Sequence, residues 1–510
     1  MARAIAILGA CIYAGGVALC GGEDDGRRGF FRPPKGWIRT ASVHDPSIFR
    51  DKDGKYIIFG THLASAESQN LISWKQTKTL RDAIGPDALD KIRAFNDDAA
   101  SRDPYGYLWA PDVIYNKKMR KYCVYLSANG DHWQSNIVLL TADKIEGPYA
   151  YAGSVVYGGF TQANWLETDV SRVLHTKVLP QRYIDHGVKN GKWGFMYPNC
   201  IDPCVFYDDN GHLLMIYGSW SGGIFMLALD EKTGLRDEKI RYPTNLHSDA
   251  YFGRKIAGGQ YASGEGSYIQ KIGDWYWLFI SYGKLDAKGG YNVRVFRSQK
   301  PGGPYRDKRG NSTFYDVNRH NFNDAVGVRL FGAYKWNGDE HGMVAQGHNS
   351  ALVDADGRAY IVYHTRTTAG HEGHYIRVHQ LFLNKDGWLV AAPFRFRGER
   401  LDKHGLAKSA IAGDYDIILH RLGIDHAHLD CVRPERITLK PDRTISGART
   451  GKWELEHNSP YINITLDGDD TYRGVALIQA VDGTDNKTPV FTALGDDNQL
   501  TLWGAKRKDI

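Results

Sequence analysis

Short apolar runs alternate with turn residues along this chain, most clearly in NCIDPCVFYDDNGHLLMIYGSW, Asn199 to Trp220. Val205-Phe206-Tyr207 and the run Leu213 to Tyr217 flank the turn Asp208-Asp209-Asn210-Gly211. Two apolar runs rich in β-branched and aromatic residues around an Asn-Gly turn predict a β-hairpin. The second run has no polar interruption, as expected of a strand covered on both faces.

Four other stretches repeat this plan: HDPSIFRDKDGKYIIFG from His44, WAPDVIYNKKMRKYCVYLS from Trp109, GEGSYIQKIGDWYWLFISYG from Gly264 and GHNSALVDADGRAYIVYH from Gly347. Aligned, they place Asp45, Ala110, Asp202, Glu265 and His348 at one position ahead of the first strand, at intervals of 65, 92, 63 and 83 residues. One hairpin plus two later strands per unit predicts a propeller blade. Five units give an all-β, five-bladed β-propeller over residues 44–398. The first strand of every blade lines the central channel, so the aligned positions converge on the axis. A single aspartate before a strand is ordinarily a turn or cap residue. Four ionisable side chains at five equivalent positions mark a site.

From residue 399 to 510 short alternating stretches follow at close spacing, from Asp414–His420 to Leu500–Gly504, and predict a small, separate C-terminal β-barrel or sandwich. Trp453 and Trp503 there read as core. Residues 1–22, with Arg3 ahead of the apolar run Ala4 to Cys20, read as an export signal, and 23–43 as a Gly-, Pro- and charge-rich linker. The expected location is secreted, with periplasmic or surface-anchored as the alternative, and no membrane span remains in the mature chain. Pro86 to Phe95 predicts a short surface helix. The insert 158–192 lacks strand periodicity and decorates the rim, where functional loops commonly sit.

Composition supports this picture. Glycine at 57 residues and aromatics at 12% suit a turn-rich β protein, and 42% apolar residues can build real cores. Net charge is +6 with no long basic stripe, which excludes a nucleic-acid module. Cys200 and Cys204 lie roughly 13 Å apart on an extended strand, too far for a disulfide. No zinc spacing appears.

Two carboxyl groups in a closed cavity suit glycosidic bond cleavage, one protonated to donate to the leaving oxygen and one ionised to activate water. Burial and a nearby like charge separate their pKa values. Asp45, Asp202 and Glu265 cover base, tuner and acid, in an order that residue types leave open.

The motifs HDPS, WAPDV, NCIDPCVFYD, YGSWSGGIF, SGEGSYI and QGHNSALVD resemble those of the family 43 glycoside hydrolases, and together most resemble two-domain endo-α-1,5-L-arabinanases. The resemblance implies inverting hydrolysis of arabinan, a side chain of pectic polysaccharides, by a monomer. It implies Asp45 as general base, Glu265 as general acid and Asp202 as the carboxylate that tunes and orients the acid. Gly159, Asn199, Ser219, Trp220, Ser221 and Gly264, with Asp45 and Asp202, fall on substrate-contacting positions. His348 matches the histidine that anchors a channel calcium. By itself a lone histidine is a poor calcium signature, since calcium takes roughly six to eight oxygens, and a buried, hydrogen-bonded histidine is the plain reading. An exo-acting arabinofuranosidase or β-xylosidase of the same fold, or a non-catalytic glycan-binding propeller, are the alternatives. Three like charges clustered on one axis argue against the last of these.

Overall fold

A computed structural model describes residues 40–96, 105–130, 133–314, 324–421 and 431–507. The expected signal segment and most of the linker lie outside the described residues. Five antiparallel sheets follow in chain order, four of them four-stranded and the third five-stranded. Their first strands begin at Ser47, Leu108, Cys204, Glu265 and Met343. In the third blade Asp208 makes the turn: its Oδ1 accepts the N–H groups of Asn210 (2.9 Å) and His212 (2.8 Å), and Gly211 takes φ 84°. The strand Leu213–Tyr217 is buried throughout, as are Tyr56–Gly60 and Ser135–Ala142.

One side-chain contact recurs at each seam between blades and sets their relative height. Ser47 Oγ accepts the Val113 N–H at 3.2 Å, and Asp112 Oδ2 accepts Val205 N–H at 2.6 Å. Cys204 Sγ accepts Ile269 N–H at 3.3 Å, and the Tyr268 hydroxyl meets the Ala351 backbone at the corresponding place. Ser350 Oγ accepts Ile48 N–H at 3.1 Å and closes the ring from blade five to blade one. Residues 40–41 reinforce this closure by hydrogen bonding to Ile376 on blade five. Cys204, to which the sequence assigned nothing, is therefore one of the five seam residues. The four cysteines among the described residues form no disulfide, and all four are buried.

The C-terminal region is a closed eight-stranded barrel from Gly413–Leu419 to Thr501–Lys506. It includes a short, half-exposed strand, Thr444–Gly447, that the sequence pattern did not reveal. Trp453 lies in the barrel's own core. Trp503 does not: it packs with Phe331, Tyr334 and His379 of blades four and five, and its Nε1 donates to Ala391 O at 3.0 Å. Barrel residues Ile418, Val475, Leu477 and Val490 share this apolar cluster with the propeller. The expected separate domain is thus fused to the propeller through a common core, because one outer face of the barrel is apolar. The predicted helix is present as Pro86–Arg93, with Leu89 and Ile92 buried beneath it.

Candidate active site

Two residues ahead of the first strand in blades one and three, and inside that strand in blades two, four and five, one residue takes a left-handed backbone: Asp45 (φ 52°), Ala110 (35°), Asp202 (58°), Gly266 (56°) and His348 (45°). In blades two, four and five the strand pairing shifts across this residue, as at a β-bulge. A bulge re-aims the residue it carries, and the left-handed turn of the backbone, repeated in all five blades, brings five equivalent positions to the axis. The seam contacts confirm the equivalence, since each of these residues lies three before a backbone N–H that meets the preceding blade. Glu265 is therefore one residue away from the position the sequence alignment gave it; Gly266 occupies that place. A Cβ on Gly266 would stand 2.8 Å from His348 Cγ, so glycine there leaves room for the His348 ring. Glu265 instead belongs to the regular pair with Ser281, and its carboxyl group approaches from the neighbouring strand position.

Asp45 is buried and almost saturated with donors. Thr61 Oγ1 donates to Oδ2 at 2.5 Å, His44 Nδ1 to Oδ2 at 2.8 Å, and His348 Nδ1 to Oδ1 at 3.0 Å. Burial pushes its pKa up, but His348 and His44 outweigh that and hold the carboxyl well below the usual range. Its own N–H donates to His364 Nδ1 at 3.3 Å, which leaves the His364 proton on Nε2. Burial above all holds His364 well below its usual range.

Glu265 has the opposite setting. Tyr291 donates to Oε1 at 2.8 Å and Ser219 Oγ to Oε2 at 3.1 Å. Burial, then the charges of Asp202 and Asp45, push its pKa up to about 7, against the Tyr291 hydrogen bond and His348. Asp202 accepts the Gly266 N–H on Oδ2 at 3.1 Å and donates its own N–H to Ser127 Oγ at 2.9 Å. Burial and Asp45 raise it to about 6. The axis thus carries one carboxyl held ionised, one held protonated up to neutrality, and a third whose charge lifts the second.

His348 is raised to about 9 despite burial, by Asp45 and Asp202. Its Nδ1 is committed to Asp45, so Nε2 is the nitrogen left for a ligand. A histidine whose other nitrogen donates to a carboxylate is a common metal-ligand arrangement, and a cation at Nε2 would take the place of the proton that Asp45 and Asp202 favour there. His44, Asp45 and His364 also bring three potential ligand atoms within 4.8 Å of one another, but both histidine Nδ1 atoms already engage Asp45.

The remaining predicted residues separate into two groups. Ser219 touches the acid directly, and Trp220, half-buried, meets Tyr282 edge-on at 6.0 Å in the same loop. Ser221 is fully buried and donates to Ser219 O at 2.9 Å while accepting the Asn199 N–H at 3.0 Å, so it shapes the loop from beneath. Asn199 Oδ1 accepts from Ser135 Oγ at 2.7 Å. Gly159 (φ 63°) packs on the Trp133 backbone and Gly264 (φ 69°) on Ile280 and Ser281, both too closely for a side chain. His44, Thr61, Tyr291 and His364 were not read as functional. His44 stands in the quoted HDPS motif and could have been noticed; Thr61 in the turn after the second strand of blade one, Tyr291 ahead of the strand Asn292–Ser298 and His364 within Ala359–Thr367 reach the site from positions that no local pattern connects to it.

A propeller whose axis pairs an ionised with a protonated carboxyl group is built for acid–base cleavage of a glycosidic bond, and the chain belongs to glycosyl hydrolases family 43. The family's model matches residues 38–175 and 182–389, and that of its C-terminal lipocalin-like domain matches 393–504. Among its relatives are the extracellular endo-α-(1→5)-L-arabinanase 2 of Bacillus subtilis (strain 168) and the extracellular endo-α-(1→5)-L-arabinanase of Thermotoga petrophila. They are 36% and 35% identical over 487 residues, covering 92% of this chain and 94% of each relative. The crystal structure of the endo-1,5-α-L-arabinanase from Thermotoga petrophila RKU-1 matches with a TM-score of 0.77 at 34% identity, covering 93% of this chain and 100% of that one.

Proposed function

We propose that this protein is an endo-acting hydrolase of α-1,5-linked L-arabinan that inverts the anomeric centre. The observation that carries the mechanism is the opposite setting of Asp45 and Glu265. Asp45, ionised and oriented by Thr61, His44 and His348, accepts a proton from the attacking water. Glu265, protonated through burial beside Asp202, gives its proton to the departing glycosidic oxygen. Asp202 acts through the acid's pKa, and Tyr291 and Ser219 fix the acid's two oxygens. The endo assignment and the arabinan substrate rest on the two bacterial relatives, which span nearly the whole chain. Export is supported by the apolar run Ala4 to Cys20 and by the relatives' extracellular naming; among the described residues no helix is long and apolar enough to cross a membrane.

His348 Nε2, together with waters, would hold a calcium ion, whose charge favours the ionised form of nearby carboxylates. Metal analysis of active enzyme is expected to find about one calcium per chain, lost in His348→Ala. Full activity in that variant would return His348 to a plain hydrogen-bonding role. The activity itself is tested by digesting linear, debranched arabinan and sizing the early products. Oligosaccharides of mixed length are expected; release of a single short product from the outset would favour the exo-acting alternative.

A further inference from the structure

Half-buried aromatic side chains gather beside the loop 219–222, which touches the acid through Ser219. Trp133 precedes the third strand of blade two, and Tyr261 lies in the connection that leads to Glu265. Their rings lie 6.3 Å apart, tilted by 44°, and Phe195 meets Tyr261 at 6.1 Å. Trp133 (φ 69°), Gln260 (φ 53°) and Tyr261 (φ 67°) are all left-handed, a conformation that costs a bulky residue energy and concentrates at ligand sites.

The short helix Trp193–Met196 supports this pair. A Cβ on Gly194 would fall 2.3 Å from Trp133 Cζ2 and 2.9 Å from Tyr261 Oη, so both rings rest on that glycine. Trp193 anchors the helix in the core, with Nε1 donating to Pro198 O at 3.1 Å. The same segment carries the acid's loop. Gly222 packs on the Met196 and Tyr197 backbone and donates to Tyr197 O at 3.1 Å, and Tyr261 N–H donates to Ser221 O at 3.1 Å. Ser219, two residues before Ser221, touches Glu265. The aromatic pair is therefore continuous with the reacting centre through two backbone hydrogen bonds.

We propose that Trp133 and Tyr261, backed by Gly194, form a distal glycan subsite that stacks on a sugar ring of the chain running away from the scissile bond. Aromatic faces suit this ligand, because a furanose presents C–H groups on its faces and needs a broad apolar surface that still meets water. The subsite selects long chains over short ones. This inference rests on the arabinan reading above.

The test compares kcat/KM on linear arabinan with kcat/KM on the shortest arabino-oligosaccharide the enzyme cleaves. In Trp133→Ala and Tyr261→Ala the ratio of the two is expected to fall about fivefold or more, and Trp133→Phe to recover most of it. Leu166→Ala, at an exposed residue of the 158–192 insert, is the control and leaves both values unchanged. In a Glu265→Gln background, Trp133→Ala is expected to weaken arabinohexaose binding about fivefold or more in calorimetry. If Trp133→Ala does not fold, Trp133→Leu, which keeps bulk without an aromatic face, decides the matter. An unchanged ratio, or equal loss on both substrates, overturns the subsite. Failure of the unmodified enzyme to cleave arabinan would overturn the functional reading instead.

Discussion

Asp202→Asn tests whether the third carboxylate acts through the acid. Glu265 sits at about 7 against an ordinary 4.5, with burial as the larger cause and the Asp202 charge next. Asparagine keeps the size and can still accept the Gly266 N–H, but removes the charge. The ionised form of Glu265 then becomes easier to reach, so its pKa falls. Activity needs Glu265 protonated, and the alkaline limb of the pH profile therefore moves to lower pH. Burial persists, so the movement should be about one unit rather than the whole displacement. Tyr291→Phe supplies the opposite sign. It removes a 2.8 Å hydrogen bond that favours the carboxylate, so the limb should move to higher pH. Such a bond to a charged group is worth roughly 1.5–3 kcal/mol, part of which Ser219 retains, giving about half a unit to one unit. The assay is kcat/KM on linear arabinan from about pH 4 to about pH 9, which reports the free enzyme's groups. Movement of both limbs in the same direction, or of neither, would refute the assignment of Asp202 as tuner.

Gly266→Ala should lower kcat about tenfold or more with a modest loss of thermal stability, because its Cβ must displace the His348 ring from Asp45 and an alanine at φ 56° costs about 1 kcal/mol; wild-type kcat in a folded variant would contradict the spatial argument. Asp112→Asn, which loses one of two acceptors in the seam to Ser47 and Val205, should cost about 1–3 kcal/mol in denaturant melts, and an unchanged midpoint would remove the seam from the stability account. Glu265→Gln should lose most activity on arabinan and least on an aryl arabinofuranoside whose leaving group departs without a proton; equal losses would count against the acid role.

The blades were legible because each begins with a hairpin whose apolar runs and turn residues are local. The axial register was legible to within one residue. In Gly264-Glu265-Gly266 the alignment chose the ionisable side chain, whereas the fold puts a glycine at the bulge, and only contacts between blades distinguish the two. Those contacts, such as Cys204 to Ile269, join residues 65 apart and leave no periodic trace. Tyr291 and His364 were invisible for the same reason. The barrel's strands were mostly readable, but its closure and its fusion to blades four and five were not. Trp503 reads as core in either case, and nothing local says whose core it enters.

The central claim is that Asp45 and Glu265 act from opposite sides of the bond in a single displacement. Proton NMR of the first arabinose reducing ends released from linear arabinan tests this directly, before mutarotation mixes the anomers. β-Anomers are expected to appear first and α-anomers to grow in later; α-anomers from the first spectrum would show retention and contradict a single displacement.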